Sequence, residues 1–528
     1  MMLKRTKFLA AGMILFSSAF TLTACGSTSA ATKEDPKTIS LIAPDHSDVH
    51  PKTQNLWMWK EYEKMSGVHV NWETMKDLDQ KKQLILNRKT LPDGLYQTNW
   101  SNDELTKYGS QGLFQPLEKL IPKYAPNLNK LMEEDPSIKK AITSSNGHIY
   151  GLPYMSTDPL GGGRHFKLYI NKKWLDKLGL KKPTNTTELE NVLEQFVTKD
   201  PNGNGKADEQ GFYMDSGNFG SFELMIKSAF GFNTAGRTAM EAGFYIDDKD
   251  QLQYIYSDPK MQDAWKYLAE LYKKGLIAKT AFAGVDHDKW IADGSKEVVG
   301  CYAWVGQEMS FGEKVGNEYV PISVLSDADG KNGATVTQSG VMGTSAFIIT
   351  KAASEAKAKQ MLKWVDYFYS KEGSDFGYFG KEGVTYNVNK DGNKVFVDKI
   401  LNDPKGASLG AYQYVDNVYG GFYPYLEVEE RLKNIGKGMA PEVFTDDPLS
   451  HMPKQVLPNL QGTTEESAEI ASIQTDLNNY VDQARVKFVT GKWNLDTQWD
   501  SYVAQLKKIG LDKWLEIRRA QYKRYEED

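Results

Sequence analysis

The chain has 528 residues, 40% hydrophobic and 25% charged, with 12 Trp, 28 Tyr, 22 Phe and 2 Cys. Those proportions exclude disordered and collagen-like chains, two cysteines cannot build a disulfide scaffold, and 64 bases against 69 acids give no cationic surface for nucleic acid. Cores stop growing near ~250–300 residues, so a chain of this length is expected to form two lobes.

The first residues read as an export signal. Lys4, Arg5 and Lys7 form a basic start, and Phe8 to Phe20 is apolar but too short for a stable spanning helix. Leu22-Thr23-Ala24-Cys25 then resembles the bacterial lipobox, so residues 1–24 are expected to be a lipoprotein signal peptide and Cys25 the acylated N-terminus. Residues 26–37 are small and polar, and with Cys25 make a flexible tether over 25–37. The expected product is lipid-anchored on the extracytoplasmic face of the cell membrane. Loss of three of the 64 bases leaves 61 against 69 acids, a formal charge of −8. Cys301, in Val298-Val299-Gly300-Cys301-Tyr302-Ala303-Trp304, reads as a small buried residue of a strand.

Thr38 to Ala43 predicts a strand, about Gln54 to Met65 a helix, and Val68 to Trp72 a second strand, an α/β opening that Gly94-Leu95-Tyr96 continues. Asn146-Gly147 marks a turn, and a helix through Trp174 should stop at Gly179. Met155 to Gly163 lacks periodicity and is rich in Gly and Pro, a candidate interlobe crossing. Phe244 to Ile246 and Leu252 to Tyr256 predict a hairpin, followed by a helix ending at Gly275. Asp327 to Gly333 is a second candidate crossing, before a strand at Ser345 to Thr350 and a helix from about Ser354 to Tyr369. Thr463 to Glu466 reads as a capping box, ahead of Ile470, Ile473, Leu477, Val481, Ala484 and Phe488 at helical spacing, and Trp499 to Tyr525 reads as largely helical.

Asp200, Asn202, Asn204 and Asp208 supply oxygens at alternate positions, Gly205 permits a sharp turn and Lys206 can offer its carbonyl, as in an EF-hand loop. The twelfth position, where a bidentate Glu belongs, is Gly211, and Glu209 stands at the tenth, so the loop departs from the standard pattern. Calcium held by Asp200, Asn202, Asn204, Lys206, Asp208 and Glu209 is nonetheless the expectation, against a metal-free Asn-Gly turn.

His46 and His50 stand four apart in a loop and read as ligand-facing or polar rather than as zinc ligands. Gly109-Ser110-Gln111-Gly112 lacks a nucleophile elbow's first glycine, and Gly161-Gly162-Gly163 has neither phosphate-loop nor dinucleotide spacing. No carboxylate pair is singled out for glycoside hydrolysis. Because ligands lie beyond the carboxyl ends of strands in α/β sheets, the candidate contacts are Asn99, Trp100, Tyr154, Arg164, His165 and Trp304. Flat aromatics stack on pyranose faces, and Arg164 would suit an acidic sugar.

Several blocks carry a resemblance: Asp93-Gly94 after Leu-Pro, Gly112 to Leu117 with Lys123 to Asn127, Gly147 to Pro153, Asn171 to Gly179, Asp200 to Glu209, and Trp499 to Val503. On these the sequence resembles the lipoprotein members of the family 1 extracellular solute-binding proteins, receptors of ABC importers for oligosaccharides, related to the alginate-oligosaccharide-binding proteins. The likeness spans nearly the whole mature chain and thins over about 212–243 and 406–425. It implies an α/β, two-lobed periplasmic-binding-protein-like fold of type II with an interlobe hinge and ligand cleft, lobe one taking 38–154 and 325–378 and lobe two 155–324 and 379–528. It also implies a structural calcium loop, no catalysis, no organic cofactor, and a monomer that delivers an oligosaccharide to ABC permease subunits. The rival readings are an anchored carbohydrate-active enzyme and a receptor for a non-sugar solute or a sensor system.

Overall fold

The computed structural model describes residues 35–527 except 48–49, 158–166, 216–218, 233–242, 285–286, 305–310, 312–313, 323, 332, 334–339, 391, 404–406, 417–422, 428–450 and 453–454. The chain divides into two compact units, Met1–Asp35 and Pro36–Asp528, and the expected signal peptide, Cys25 and most of the tether lie outside the described residues. No described helix is long and apolar enough to cross a membrane.

In chain order the strands are β1 (Thr38–Pro44), β2 (His69–Met75), β3 (Gly94–Tyr96), β4 (Gly151–Ser156), β5 (Lys167–Asn171), β6 (Gln210–Phe212), β7 (Phe244–Ile246), β8 (Leu252–Tyr254), β9 (Val299–Trp304), β10 (Tyr319–Ile322), β11 (Val341–Ile349), β12 (Tyr386–Val388), β13 (Lys394–Phe396) and β14 (Leu426–Glu427). Among the described residues a six-stranded sheet runs β14-β4-β11-β3-β1-β2 and a four-stranded sheet runs β10-β5-β9-β6. The pairs β7-β8 and β12-β13 form separate hairpins, the first at the predicted place.

The first sheet is covered on both faces. Eight of the nine residues of β11 are buried, the run expected of a central strand, whereas the edge strand β2 exposes His69, Asn71 and Glu73 in alternation. Gly94 is required where β3 squeezes between neighbours, because a Cβ there would lie 2.8 Å from the carbonyl of Ile348. Beside it, the buried Asp93 carboxylate accepts from the Ser40 amide at 2.7 Å, the Ser40 hydroxyl at 2.9 Å and the Lys357 ammonium at 3.0 Å, tying β1 to the helix Glu355–Asp366.

The buried cluster on this sheet runs from Ile39 to Met155, resumes at Val341 and continues through Phe379, Phe396, Ile400, Val415 and Tyr425 to Leu426. The core boundary thus falls past 378, where a lobe break was expected, because β14 adds beside β4 and carries the preceding segment with it. A second cluster contains Leu168 to Leu325 and Leu457 to Tyr522. Cys301 is buried in β9 as expected, and burial pushes its thiol well above the ordinary range.

The helix Thr464–Val489 starts at the predicted capping box, Glu466 donating its amide to Thr463 Oγ1 at 3.2 Å and accepting from the Thr463 amide at 2.9 Å. Its apolar stripe from Ile470 to Phe488 is buried in the second core, each large side chain contributing on the order of 1.5–3 kcal/mol. Its first turn touches the helix Asn102–Ser110, whose Leu105 and Tyr108 pack with Ile42, Leu95 and Ile348 of the first sheet in a third cluster, through Ser467 Oγ, which donates to Asp103 Oδ1 at 2.8 Å.

A buried ionic cluster knits the second core. Glu223, on the helix Phe219–Ala229, pairs with Lys227 at 3.1 Å and with Arg485 at 2.6 Å, and accepts from Tyr256 Oη at 3.1 Å and Trp265 Nε1 at 3.1 Å. Burial pushes the Glu223 carboxyl up, but the two cations outweigh it and hold the acid at about 2. Removing one partner of such a group strands the others. Glu223→Gln should therefore cost about 3–5 kcal/mol, read as a lower urea midpoint at pH 7. Because the folded value lies below the ordinary 4.5, the stabilisation is full above that value and is lost as pH falls through about 2. The gap between wild type and variant should narrow on acidification.

Candidate functional site

Topology brings the strand ends of both sheets to the chain crossings. β1, β3, β4 and β14 run parallel, so their carboxyl ends share one edge, from which β11, antiparallel to β3 and β4, departs. The chain leaves this edge after Ser156 and reaches the second sheet at Lys167, then returns from Ile322 to Val341. There β5 is antiparallel to β9 and β10, and β6 parallel to β9, so Lys167 and the ends of β6, β9 and β10 share one edge of the second sheet. The two candidate crossings read from composition fall in these connections.

On the first edge, the loop after β1 is turned by Asp45, whose Oδ1 accepts the Ser47 amide at 2.9 Å, and His50 donates its amide to the His46 carbonyl at 3.1 Å. The His50 ring meets Tyr412 edge-on, centroids 4.3 Å apart, with His46 5.8 Å away. Gln97, in the left-handed region at φ 55° just after β3, brings its amide nitrogen to 3.2 Å from His46 Nε2. Tyr412 ends the helix Ala407–Tyr412, and the next turn is anchored where Met58 donates its amide to the Tyr414 carbonyl at 3.0 Å. That turn buries Asp416, whose Oδ2 accepts from Tyr96 Oη at 3.3 Å. Burial lowers His50, favouring the neutral ring, and raises Asp416 to about 7.

At the β4–β14 end, Tyr154 stacks on Tyr425 at 5.1 Å and 24°, and its hydroxyl donates to Glu427 Oε2 at 3.4 Å. On the second edge, Tyr213 follows β6 and donates to Asp293 Oδ2 at 2.9 Å, and Asp215 is buried two residues on. Burial pushes Asp293 up, but hydrogen bonds from Lys289, Lys296 and Tyr213 hold it at about 2. Together the edges offer aromatic faces, carboxylates and an imidazole, a set suited to holding a polar ligand by stacking and hydrogen bonds.

The expected contact residues divide. Tyr154 lies in the cluster just described. Trp304 ends β9 at the crossing edge, in register with Lys167. Asn99 is exposed, its carbonyl accepting from Lys82 Nζ at 2.5 Å. Trp100 is 1% exposed, packed edge-on against Tyr108 and Phe114 at 5.6 and 5.4 Å with the Lys82 ammonium 4.9 Å from its ring, a core packing. Arg164 and His165 lie outside the described residues. Tyr412, Asp416, Tyr425 and Glu427 were not singled out from the sequence. The available signal was the thinning of the family likeness over 406–425.

In the 200–209 loop, Asp200 accepts the amides of Gly203 at 2.9 Å, Asn204 at 3.1 Å and Gly205 at 3.1 Å. Asn202 and Asn204 donate their side-chain amides to Asp208 at 3.2 and 3.1 Å. Glu209 is buried, its Oε1 has no hydrogen-bond partner, and burial, then the charges of Asp200 and Asp208, raise its carboxyl. A cation would relieve that orphaned oxygen, so the donor set fits calcium, with Asn side-chain oxygens and the Lys206 carbonyl completing it. Among the described residues no group of three or more His, Cys, Asp or Glu side chains is gathered as a metal site, in this loop or at His46 and His50, so the fit rests on Asn and carbonyl oxygens as much as on the acids.

Residues 57–420 match the family described as bacterial extracellular solute-binding protein. The chain belongs to that family. As a solute-binding protein it binds without turning its ligand over, and its fold is the mixed α/β fold of these proteins. It is 28% identical over 559 residues to the fructooligosaccharide ABC transporter substrate-binding protein FusA of Streptococcus pneumoniae serotype 4, covering 99% of each. Lipoprotein LipO of Bacillus subtilis strain 168 is 27% identical over 378 residues, 69% of this chain and 70% of LipO. The structure of S. pneumoniae FusA with kestose superposes with a TM-score of 0.76 at 26% identity, covering 93% of this solute-binding protein and 99% of that chain. An EF-hand mutant of FusA with fructo-nystose gives 0.75 at 25% identity, with the same coverage.

Asp416 yields a pH test. Its folded value of about 7 exceeds the ordinary 3.8, so the stability of the protonated acid is full below 3.8 and is lost as pH rises through about 7. Asp416→Asn should leave the melting temperature nearly unchanged at pH 4 and raise it at pH 8, by the equivalent of up to ~4 kcal/mol. Equal melting temperatures at pH 8 would contradict the buried acid.

Proposed function

We propose that this solute-binding protein is the lipid-anchored receptor of an ABC importer and captures an oligosaccharide between two lobes. The observation that carries the reading is the joining of stacked Tyr154 and Tyr425 with Glu427, Asp416 and His50 at the strand ends beside the crossings, in a chain aligned with FusA over 99% of its length. Aromatic faces take the apolar side of a sugar ring while carboxylates accept its hydroxyls. Asp215, after β6, would add a carboxylate, and Asn99, Arg164, His165 and Trp304 are further proposed contacts.

Lobe one would comprise about 36–156 and 341–427, and lobe two about 167–325 and 457–527, following the two cores. Hinge closure about the crossings would enclose the sugar and create the form the permease subunits accept. Acylation of Cys25 would tether the receptor outside the cell, in keeping with the lipoprotein relative. Calcium held by Asp200, Asn202, Asn204, Lys206, Asp208 and Glu209 would brace the second lobe. The EF-hand named in the FusA mutant structure supports this.

Thermal-shift titration with kestose, nystose, a neutral milk-type oligosaccharide and an oligouronate should raise the melting temperature for a neutral sugar, with no product released. Tyr154→Ala should weaken that sugar by roughly tenfold. Release of smaller sugars, or stabilisation by peptides alone, would defeat the reading. For calcium, calorimetry on chelator-treated protein should give binding heat in wild type and none in Asp208→Ala; a silent wild type would sink the calcium assignment.

A further inference from the structure

We propose that His50 is a ligand-contacting residue whose Nε2 accepts a hydrogen bond from a saccharide hydroxyl; this rests on the oligosaccharide reading above. The argument starts from the tautomer. His50 Nδ1 faces the Pro51 carbonyl, and a carbonyl oxygen only accepts, so the tautomer that suits this contact carries its proton on Nδ1. The Nε2 of the neutral ring is then a bare acceptor. It is buried without a hydrogen-bond partner among the described residues, in a residue 5% exposed.

The ring is held in place. Tyr412 meets it edge-on at 4.3 Å and 85°, and His46 stands 5.8 Å away in a T-shaped contact. Gln97 directs its amide nitrogen toward His46 Nε2 at 3.2 Å, leaving the His50 acceptor unmet. Burial disfavours the imidazolium, and the Asp45 charge opposes that only weakly. A buried acceptor left open is costly in the free protein, and buried polar atoms without partners are uncommon enough to require a reason. Here the reason lies in position: His50 closes the loop that follows β1 at the crossing edge, where α/β sheets receive their ligands. A sugar hydroxyl, able to donate while remaining neutral, matches this acceptor, whereas a ligand carboxylate would meet a lone pair.

Two variants separate contact from packing, with kestose or nystose as the probe, whichever stabilises the wild type. His50→Phe keeps a flat ring against Tyr412 and removes the acceptor. It should leave the melting temperature of the unliganded protein unchanged or higher and weaken the sugar by roughly tenfold or more. His50→Gln, which restores an accepting oxygen, should recover much of that loss. Unchanged sugar affinity in His50→Phe overturns the proposal. So does a joint fall of affinity and unliganded melting temperature in both variants, which would make the ring a packing element. If no oligosaccharide stabilises the wild type, the oligosaccharide reading itself fails and takes this inference with it, an outcome distinct from wild-type binding that His50→Phe leaves untouched.

Discussion

Strand β11 is the constraint on which the rest of the molecule depends. The chain builds four strands of the first sheet, leaves to form the second, and returns to lay Val341–Ile349 antiparallel between β3 and β4. Without that return, β3 and β4 would present unpaired edges inside a core, where each unmet backbone group is costly. Because β11 begins at the edge where β4 ends, the residue at which the chain leaves the sheet and the one at which it returns are neighbours, Met155 facing Val341. The crossings, and the polar residues gathered around them, follow from that single pairing.

Charge is managed differently in the two cores. The second core buries Glu223 with Lys227 and Arg485 and satisfies the carboxylate further through Tyr256 and Trp265, so four segments meet on one acid. The first core leaves Asp416 with a tyrosine hydroxyl and little else, and burial raises it toward neutrality. Fully satisfied networks rigidify, whereas a partly satisfied buried group stays neutral or carries the cost of its missing partner. His50 and Asp416 belong to this second kind.

Much of the scaffold was legible in the sequence because its signals are local. Gly179 stops its helix in the left-handed conformation, Thr463 and Glu466 form the expected reciprocal cap, and β7-β8 stands where alternation interrupted by Asp247 to Asp250 put it. The surroundings of Trp100 are not legible in the sequence, because an indole just after a strand looks the same whether it turns to a ligand or to the core. Here the Ser345 hydroxyl takes the Trp100 amide at 2.6 Å, and the ring packs inward among Tyr108 and Phe114. The pairing of β14 with β4 is not legible in the sequence, because β14 has only two residues, Leu426 and Glu427, and its partners Met155 and Ser156 lie some 270 positions away.

The sequence by itself determined an α/β chain, an oxygen-rich loop at Asp200 to Glu209, and membership in a family of binding proteins, since each is written in residue type at short spacing. Only the tertiary structure decided which polar groups share an edge. His50, Gln97, Tyr412 and Asp416 are separated by up to 366 positions, and they meet because parallel strands bring their carboxyl ends together. No local periodicity encodes that meeting: the free energy that selects it comes from burying β11 between strands built before the chain departed.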